Sequence, residues 1–488
     1  MTVRTTGLYR ADPAILDLQK GRAGPYFDAV QAAAFPDHIL RFRNDEWAAR
    51  IGLGDLSDAD WIKHFGAFAP LDDNLPKPLA LRYHGHQFRS YNPDIGDGRG
   101  FLYAQMRDGD GRLLDLGTKG SGKTPYSRFG DGRLTLKGAV REILATEMLE
   151  ALGVYTSKTF SVIETGEALE RHDEPSPTRS AVMVRLGHSH IRFGAFQRLA
   201  FEKNASAISR LVDYCVEHFD PDLANEPAKE KTAAFFDRVV TRTARLAAQW
   251  MAAGFVHGVL NTDNMNVTGE SFDYGPWRFI PHVDFSFTAA YFDETGLYAY
   301  GRQPEAAAWN LSRLGGILSL LTEIDDLNES LGDFHPRFKK SLDAAFCKRL
   351  GVDTPKTDPG AFAFGCLKWL EKTGLPFEDF FFDWFGGGES EERTKIHHSV
   401  YGEEDFSSVK ETLLGLKPVR PERAQHAFFQ RQAPQTILIE EVEEIWDAIA
   451  DNDDWAPLNH KIRAIREMGD AYDIRATAQT DGILGESE

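Results

Sequence analysis

YNPDIGDGRGFLYAQMRDGDGRLLDLGTKGSGKTPYSRFGDGRLTLKGAVREILATEMLEALG, residues 91–153, is the stretch that decides the fold. A glycine-rich loop leads into the short strand FLYAQM. The turn residues DGDG follow, and LLDLGTK reads as a second strand joined to the first by a hairpin. Lys119 ends that strand. After a second glycine-containing loop, apolar residues at Leu136, Val140, Ile143, Leu144, Met148 and Leu152 recur at helical spacing, with Gly153 placed as the stop. This helix carries Glu142. Further on, TFSVIETG and RSAVMVRLG predict two more strands, and EALERHDEPSPT between them predicts a loop.

Beyond Leu199 the pattern turns helical. Residues 228–253 predict one long helix ending at Gly254, and about 305–470 reads as mostly helical, with aromatic clusters such as FEDFFFDWF and an acidic run near 439–454. The aromatics are expected to pack rather than to react. Composition frames this reading. With 488 residues, 42% of them hydrophobic, the chain can bury a large core as two or three domains. Its 55 basic and 74 acidic residues give a net charge of −19, which argues against nucleic acid or an anionic membrane as a partner. Three scattered cysteines indicate neither a disulfide scaffold nor a zinc site, and no apolar run suggests a secretory signal or a membrane helix. The expected setting is the cytoplasm, and a monomer is expected.

The chemistry lies in the order of parts. A glycine loop, a strand lysine, a helix glutamate, and then a helical region with an asparagine and a DxG triplet follow one another as in a protein kinase. Lys119 can neutralise phosphates and Glu142, 23 positions on, can hold it. In FVHGVLNTDNMNVTGESFDYGPW, residues 255–277, Asn264 stands seven after His257, where a kinase has its metal-binding asparagine. Val259, two after His257, occupies the place of the kinase's catalytic aspartate and cannot accept a proton. Asp263 is the replacement carboxylate in a shifted position. Asp273 opens the DYG triplet, and Asn264 and Asp273 offer hard oxygen donors suited to Mg²⁺ or Mn²⁺ bearing a nucleotide triphosphate. His257 is expected to anchor its loop through a backbone hydrogen bond. Lys123 in GSGKT invites a P-loop reading, which fails because its flanking strand and helix are not arranged for one.

GHQF at 85–88, IGDGRG at 95–100, DLGTKGSGKTPYSRFGDGR at 115–133, SHIRFGAF at 189–196 and HGVLNTDNM followed by DYGP closely resemble the SelO family, also called YdiU, over at least residues 80–310. The resemblance implies a pseudokinase that binds ATP inverted and transfers AMP to Ser, Thr or Tyr of proteins. It implies that Gly96, Gly98, Arg99, Asp131 and Gly132 contact the nucleotide. Lys119, oriented by Glu142, would bind phosphate, and Arg185 and Arg192 would hold the outer phosphates. Asp263 would accept the proton, with Asn264 and Asp273 on the metal. UTP in place of ATP would give uridylylation. The rivals are a conventional γ-phosphate kinase and a nucleotide-sensing pseudokinase without catalysis. Relatives commonly carry a selenocysteine or cysteine near the C-terminus, whereas this chain ends TDGILGESE, with no cysteine after Cys366.

The expected fold is therefore α+β and kinase-like, with two lobes. Residues 1–80 form an N-terminal extension packing on the core, 81–198 a β-rich lobe with one key helix, 199–330 a helical lobe with the catalytic loop, and 331–488 a helical C-terminal extension.

Overall fold

A computed structural model describes residues 8–20, 24–172, 174–356 and 358–476. The terminal sequence TDGILGESE lies outside them. The chain is α+β. Along it come β1 (Phe27–Ala29), β2 (Ile39–Arg43), α1 (Asp45–Arg50), α2 (Asp58–Phe65), β3 (Leu79–Leu81), β4 (Gly85–Gln87) and β5 (Ser90–Asn92). Next are β6 (Leu102–Arg107), β7 (Leu113–Lys119), β8 (Leu134–Thr135), α3 (Leu136–Ala151), β9 (Lys158–Leu169) and β10 (Thr178–Gly187). After β10 the regular elements of the described chain are helices and the small ribbon of β11 (Phe255–Val256) and β12 (Arg278–Phe279), with irregular segments between them, the longest about 280–299.

Eight strands form one antiparallel sheet in the order β1-β3-β6-β7-β10-β9-β2, with β8 on β10. The first eighty residues thus supply β1, β2 and the start of β3 to the sheet itself. Both faces are covered: α3 and the helical mass pack on one, while Trp61, Phe65, Tyr103 and Phe160 lie in the core of the other. That is why every residue of β7 is buried and why its sequence does not alternate. The predicted hairpin is present, its turn closed by Asp108, whose Oδ1 accepts from the backbone N–H groups of Asp110 and Arg112. The loop between β9 and β10 is shorter than expected. Strand β9 runs on through Glu167, Ala168 and Leu169, because each pairs across to β10 or bonds to its Ser180.

Thr135 caps α3 by accepting from Gly138 N–H, and Gly153 at φ +78° follows its end. Twelve of its sixteen residues are buried, so it is a core helix rather than a surface one. It owes this to α15 (Ile439–Asn452) and α16 (Ala456–Tyr472), which pack on it from the far end of the chain. Arg466 on α16 pairs with Glu147 through two bonds of 2.6 and 2.8 Å, and Lys137 meets Glu443 at 2.6 Å. Arg466→Ala strands the buried Glu147 carboxylate and should cost about 2–4 kcal/mol, read as a lower urea midpoint at unchanged slope.

The helical part is built from α4 (Phe193–Phe201), α5 (Ala205–Phe219), α6 (Ala228–Ala252), α7 (Gln303–Leu318), α8 (Ile324–Gly332) and α9 (Phe334–Leu350). The predicted long helix is α6, with Gly254 at φ +62° just past its end. Five further helices lie between α9 and α15, α10 (Ala361–Thr373), α11 (Phe377–Asp383), α12 (Glu391–Thr394), α13 (His398–Tyr401) and α14 (Ser407–Gly415). FEDFFFDWF spans α11, and its aromatics are buried, as expected. Among the described residues no helix is long and apolar enough to cross a membrane.

Candidate active site

Strand pairing puts Lys119 opposite Met183 and Gly117 opposite Arg185, so Lys119 and Arg185 leave the same sheet face as diagonal neighbours. Helix α3 brings Glu142 to that face. Lys119 Nζ donates to Glu142 Oε1 at 2.5 Å and to Asp273 Oδ1 at 2.8 Å. Arg185 Nη1 lies 3.8 Å from the same Asp273 oxygen. Burial alone would raise the Asp273 carboxyl, but Lys119, Arg185, Arg192 and Arg99 outweigh it and hold the group well below the usual carboxylate range. Four cations predicted from separate segments therefore converge on one anion.

The segment expected to be the catalytic loop forms a single turn of 3-10 helix, Thr262–Asn264. Arg192, the residue before α4, donates to the Asp263 carbonyl at 3.0 Å and reaches Asp97 Oδ1 at 3.4 Å. Its guanidinium lies over the Tyr83 ring at 4.5 Å and the Phe272 ring at 4.9 Å. Asn264 Nδ2 donates to the Val259 carbonyl at 3.0 Å, which fixes the amide. His257 bonds through Nε2 to the Phe272 carbonyl at 3.0 Å, one residue before Asp273, and so ties the two loop segments together.

Several buried polar atoms here have no hydrogen-bond partner among the described residues: Asp263 Oδ1, Asn264 Oδ1, Glu142 Oε2, Arg185 Nε and Nη1, and Arg192 Nε. Folded proteins rarely leave such atoms unpaired, and here acceptors and cationic donors are unpaired together. The arrangement suits an anion with a hard cation beside it. Among the described residues no three His, Cys, Asp or Glu side chains are grouped to hold a metal. Asn264 and Asp273 fit a cation that keeps water or phosphate oxygens as its other ligands. Burial pushes the Asp263 carboxyl up to about 6, against the pull of Arg192.

A cavity of about 760 Å³ meets this cluster at Asp263 and Arg99 and is lined also by Gly96, Gly98, Asp131 and Gly132, whereas Lys119, Glu142, Arg185, Arg192, Asn264 and Asp273 do not line it. The two glycine loops interlock there. Ser127 Oγ donates to the Gly98 carbonyl, Thr124 Oγ1 donates to the Asp97 carbonyl, and a side chain at Gly96 would lie 2.5 Å from the Tyr126 ring. Gly132, at φ +73°, leaves no room for one either. Asp131 is exposed at the rim, with its carboxylate on Arg171 at 2.8 Å. Lys123 is exposed in a loop, with no helix until Leu136. Three participants were not predicted. Asp97 ties the first loop to β3 by accepting from Leu81 N–H, Tyr83 backs Arg192, and Gly85 approaches Asp263 so closely that a Cβ would lie 2.5 Å from its Oδ1. Asp97 and Gly85 stand inside motifs that the sequence singles out, which was the available signal.

The model of the family described as protein adenylyltransferase SelO matches residues 16–466. A protein of Synechocystis sp. named protein nucleotidyltransferase YdiU is 42% identical over 466 residues, covering 90% of this chain and 95% of its own. One of the same name from Gloeobacter violaceus is 46% identical over 457 residues, covering 91% and 92%. The YdiU protein of Vibrio cholerae is 41% identical over 338 residues, 68% of each chain.

Proposed function

Because the chain belongs to the SelO family of protein adenylyltransferases and is a nucleotidyltransferase, we propose that it transfers AMP from ATP to Ser, Thr or Tyr hydroxyls of proteins. The observation that carries this reading is Asp263. It is a buried carboxylate at the cavity wall, with an unpartnered Oδ1 and a pKa of about 6, suited to accept a hydroxyl proton near neutral pH.

The acceptor oxygen attacks the α-phosphorus of ATP in line, Asp263 takes its proton, and the bond to the bridging oxygen breaks to release pyrophosphate. Arg185 and Arg192 pair with the outer phosphates through their unused N–H groups, which places the α-phosphorus toward Asp263. Lys119, held by Glu142, neutralises phosphate charge. Gly96, Gly98, Arg99, Asp131 and Gly132 surround the nucleoside end. Asn264 and Asp273 would hold Mg²⁺ or Mn²⁺, which neutralises phosphate charge when bound. We read the sheet with α3 as one lobe of a kinase-like fold and the helices from α4 onward as the other, and UTP as an alternative donor. Three free, buried cysteines accord with a reducing cytoplasm.

Incubation with ATP labelled at the α- or the γ-phosphorus tests the reaction: α-label is expected on protein, and γ-label there instead would overturn the reading. Below pH 6 the rate should fall about tenfold per pH unit as Asp263 protonates, and it should be flat above. Gly85→Ala drives a methyl into Asp263 Oδ1 and should lower transfer at least about tenfold without altering ATP affinity, measured by titration calorimetry.

A further inference from the structure

The β4–β5 hairpin turns on Phe88 and Arg89, at φ +49° and +63°. A two-residue hairpin with both central residues left-handed normally takes Asn-Gly, and two bulky side chains there cost backbone strain. The strain presents Phe88 beside the catalytic loop. Phe88 N–H and Tyr298 Oη–H both donate to Asn261 Oδ1, at 3.0 and 2.8 Å, and His86 N–H donates to Thr262 Oγ1 at 2.7 Å. Asn261 and Thr262 directly precede Asp263. Phe88 packs edge-on against Phe292, and Phe292 against Tyr291, with ring centroids 5.9 and 5.1 Å apart. These three rings are 36%, 47% and 86% exposed. The preceding residue, Gln87, lines the cavity together with Asp263, so the aromatic lip is continuous with the mouth of the site.

We propose that Phe88, Tyr291 and Phe292 form the docking lip for the protein acceptor, and that the lip takes an apolar side chain near the modified hydroxyl. This rests on the transfer reaction proposed above, which requires an acceptor segment to reach Asp263 past this lip. Gly85, against Asp263, and Phe88 lie three residues apart on the hairpin, about 10 Å of extended chain. An extended acceptor beside it therefore places its apolar residue about three positions from the hydroxyl. Aromatic rings serve such recognition because they bury much area at little entropic cost. Tyr291 and Phe292 come from the segment that follows the DYG triplet, so the lip joins two chain regions on either side of the loop bearing Asp263.

The test uses synthetic peptides, each with one Ser, Thr or Tyr and randomised flanks, together with α-labelled ATP. The wild-type chain should enrich aromatic or aliphatic residues about three positions from the labelled hydroxyl. Phe88→Ser, and separately the pair Tyr291→Ser and Phe292→Ser, should raise KM for a selected peptide about tenfold and erase that enrichment, with KM for ATP unchanged. Transfer to peptides with no apolar preference, or variants that keep the wild-type peptide KM, would overturn the lip alone. Absence of α-label on any peptide or protein would overturn the parent reaction and the lip with it.

Discussion

Asp263→Asn should lower AMP transfer about 10²- to 10⁴-fold while ATP still binds. The amide keeps the shape of the carboxylate but cannot take a proton, so the loss belongs in kcat and not in KM for ATP. The acid limb near pH 6 should vanish from the residual activity, because the group that titrates there is gone. Stability moves the other way. A carboxyl whose folded pKa lies above its unfolded value of about 3.9 favours the folded state only while protonated, so its contribution is lost as pH rises toward 6. At pH 7 Asp263 is a buried charge that opposes folding, and replacing it should leave the melting temperature equal or higher. A variant that lost both activity and melting temperature would point instead to a structural role.

Lys119→Met should reduce kcat/KM for transfer about 10²- to 10³-fold and destabilise the fold as well. Lys119 bridges Glu142, 1% exposed at its side chain, and Asp273, so its removal leaves two acids facing each other without their shared cation. Breaking a buried pair from one side costs about 3–5 kcal/mol. The double variant Lys119→Met with Glu142→Gln separates the two effects. It removes one stranded charge, so urea unfolding should show most of the stability restored while labelled transfer stays lost. If the double variant is as unstable as the single one, the charge pair is not the source of the instability.

The lysine and glutamate were legible because they follow the glycine loop in the order of a protein kinase, and a hairpin followed by a helix returns the chain to the same sheet. Asp263, Asn264 and Asp273 were legible through spacing, since a short loop segment restricts where its carboxylates can point. Arg185 and Arg192 came from the family resemblance, and their convergence on Asp273 depends on the pairing of β7 with β10. The β4–β5 hairpin was not legible. Its turn is Phe-Arg where local chemistry favours Asn-Gly, and a strained turn gives no propensity signal. Gly85 could be read only as a glycine, because the atom that demands it belongs to Asp263, far along the chain. The same holds for α15 and α16, whose acidic and apolar pattern says helix but does not name α3 as the surface they cover.

Helix α16 grips the glutamate-bearing α3 across 319 residues of sequence. During synthesis the glycine loops, Lys119, Glu142, Asp263 and Asp273 all leave the ribosome well before Arg466 exists. A nascent chain of that length has every candidate site residue but lacks the helices that cover α3. The far end of the sequence thus sets how firmly the helix bearing Glu142 is held, through Arg466 on Glu147 and Glu443 on Lys137.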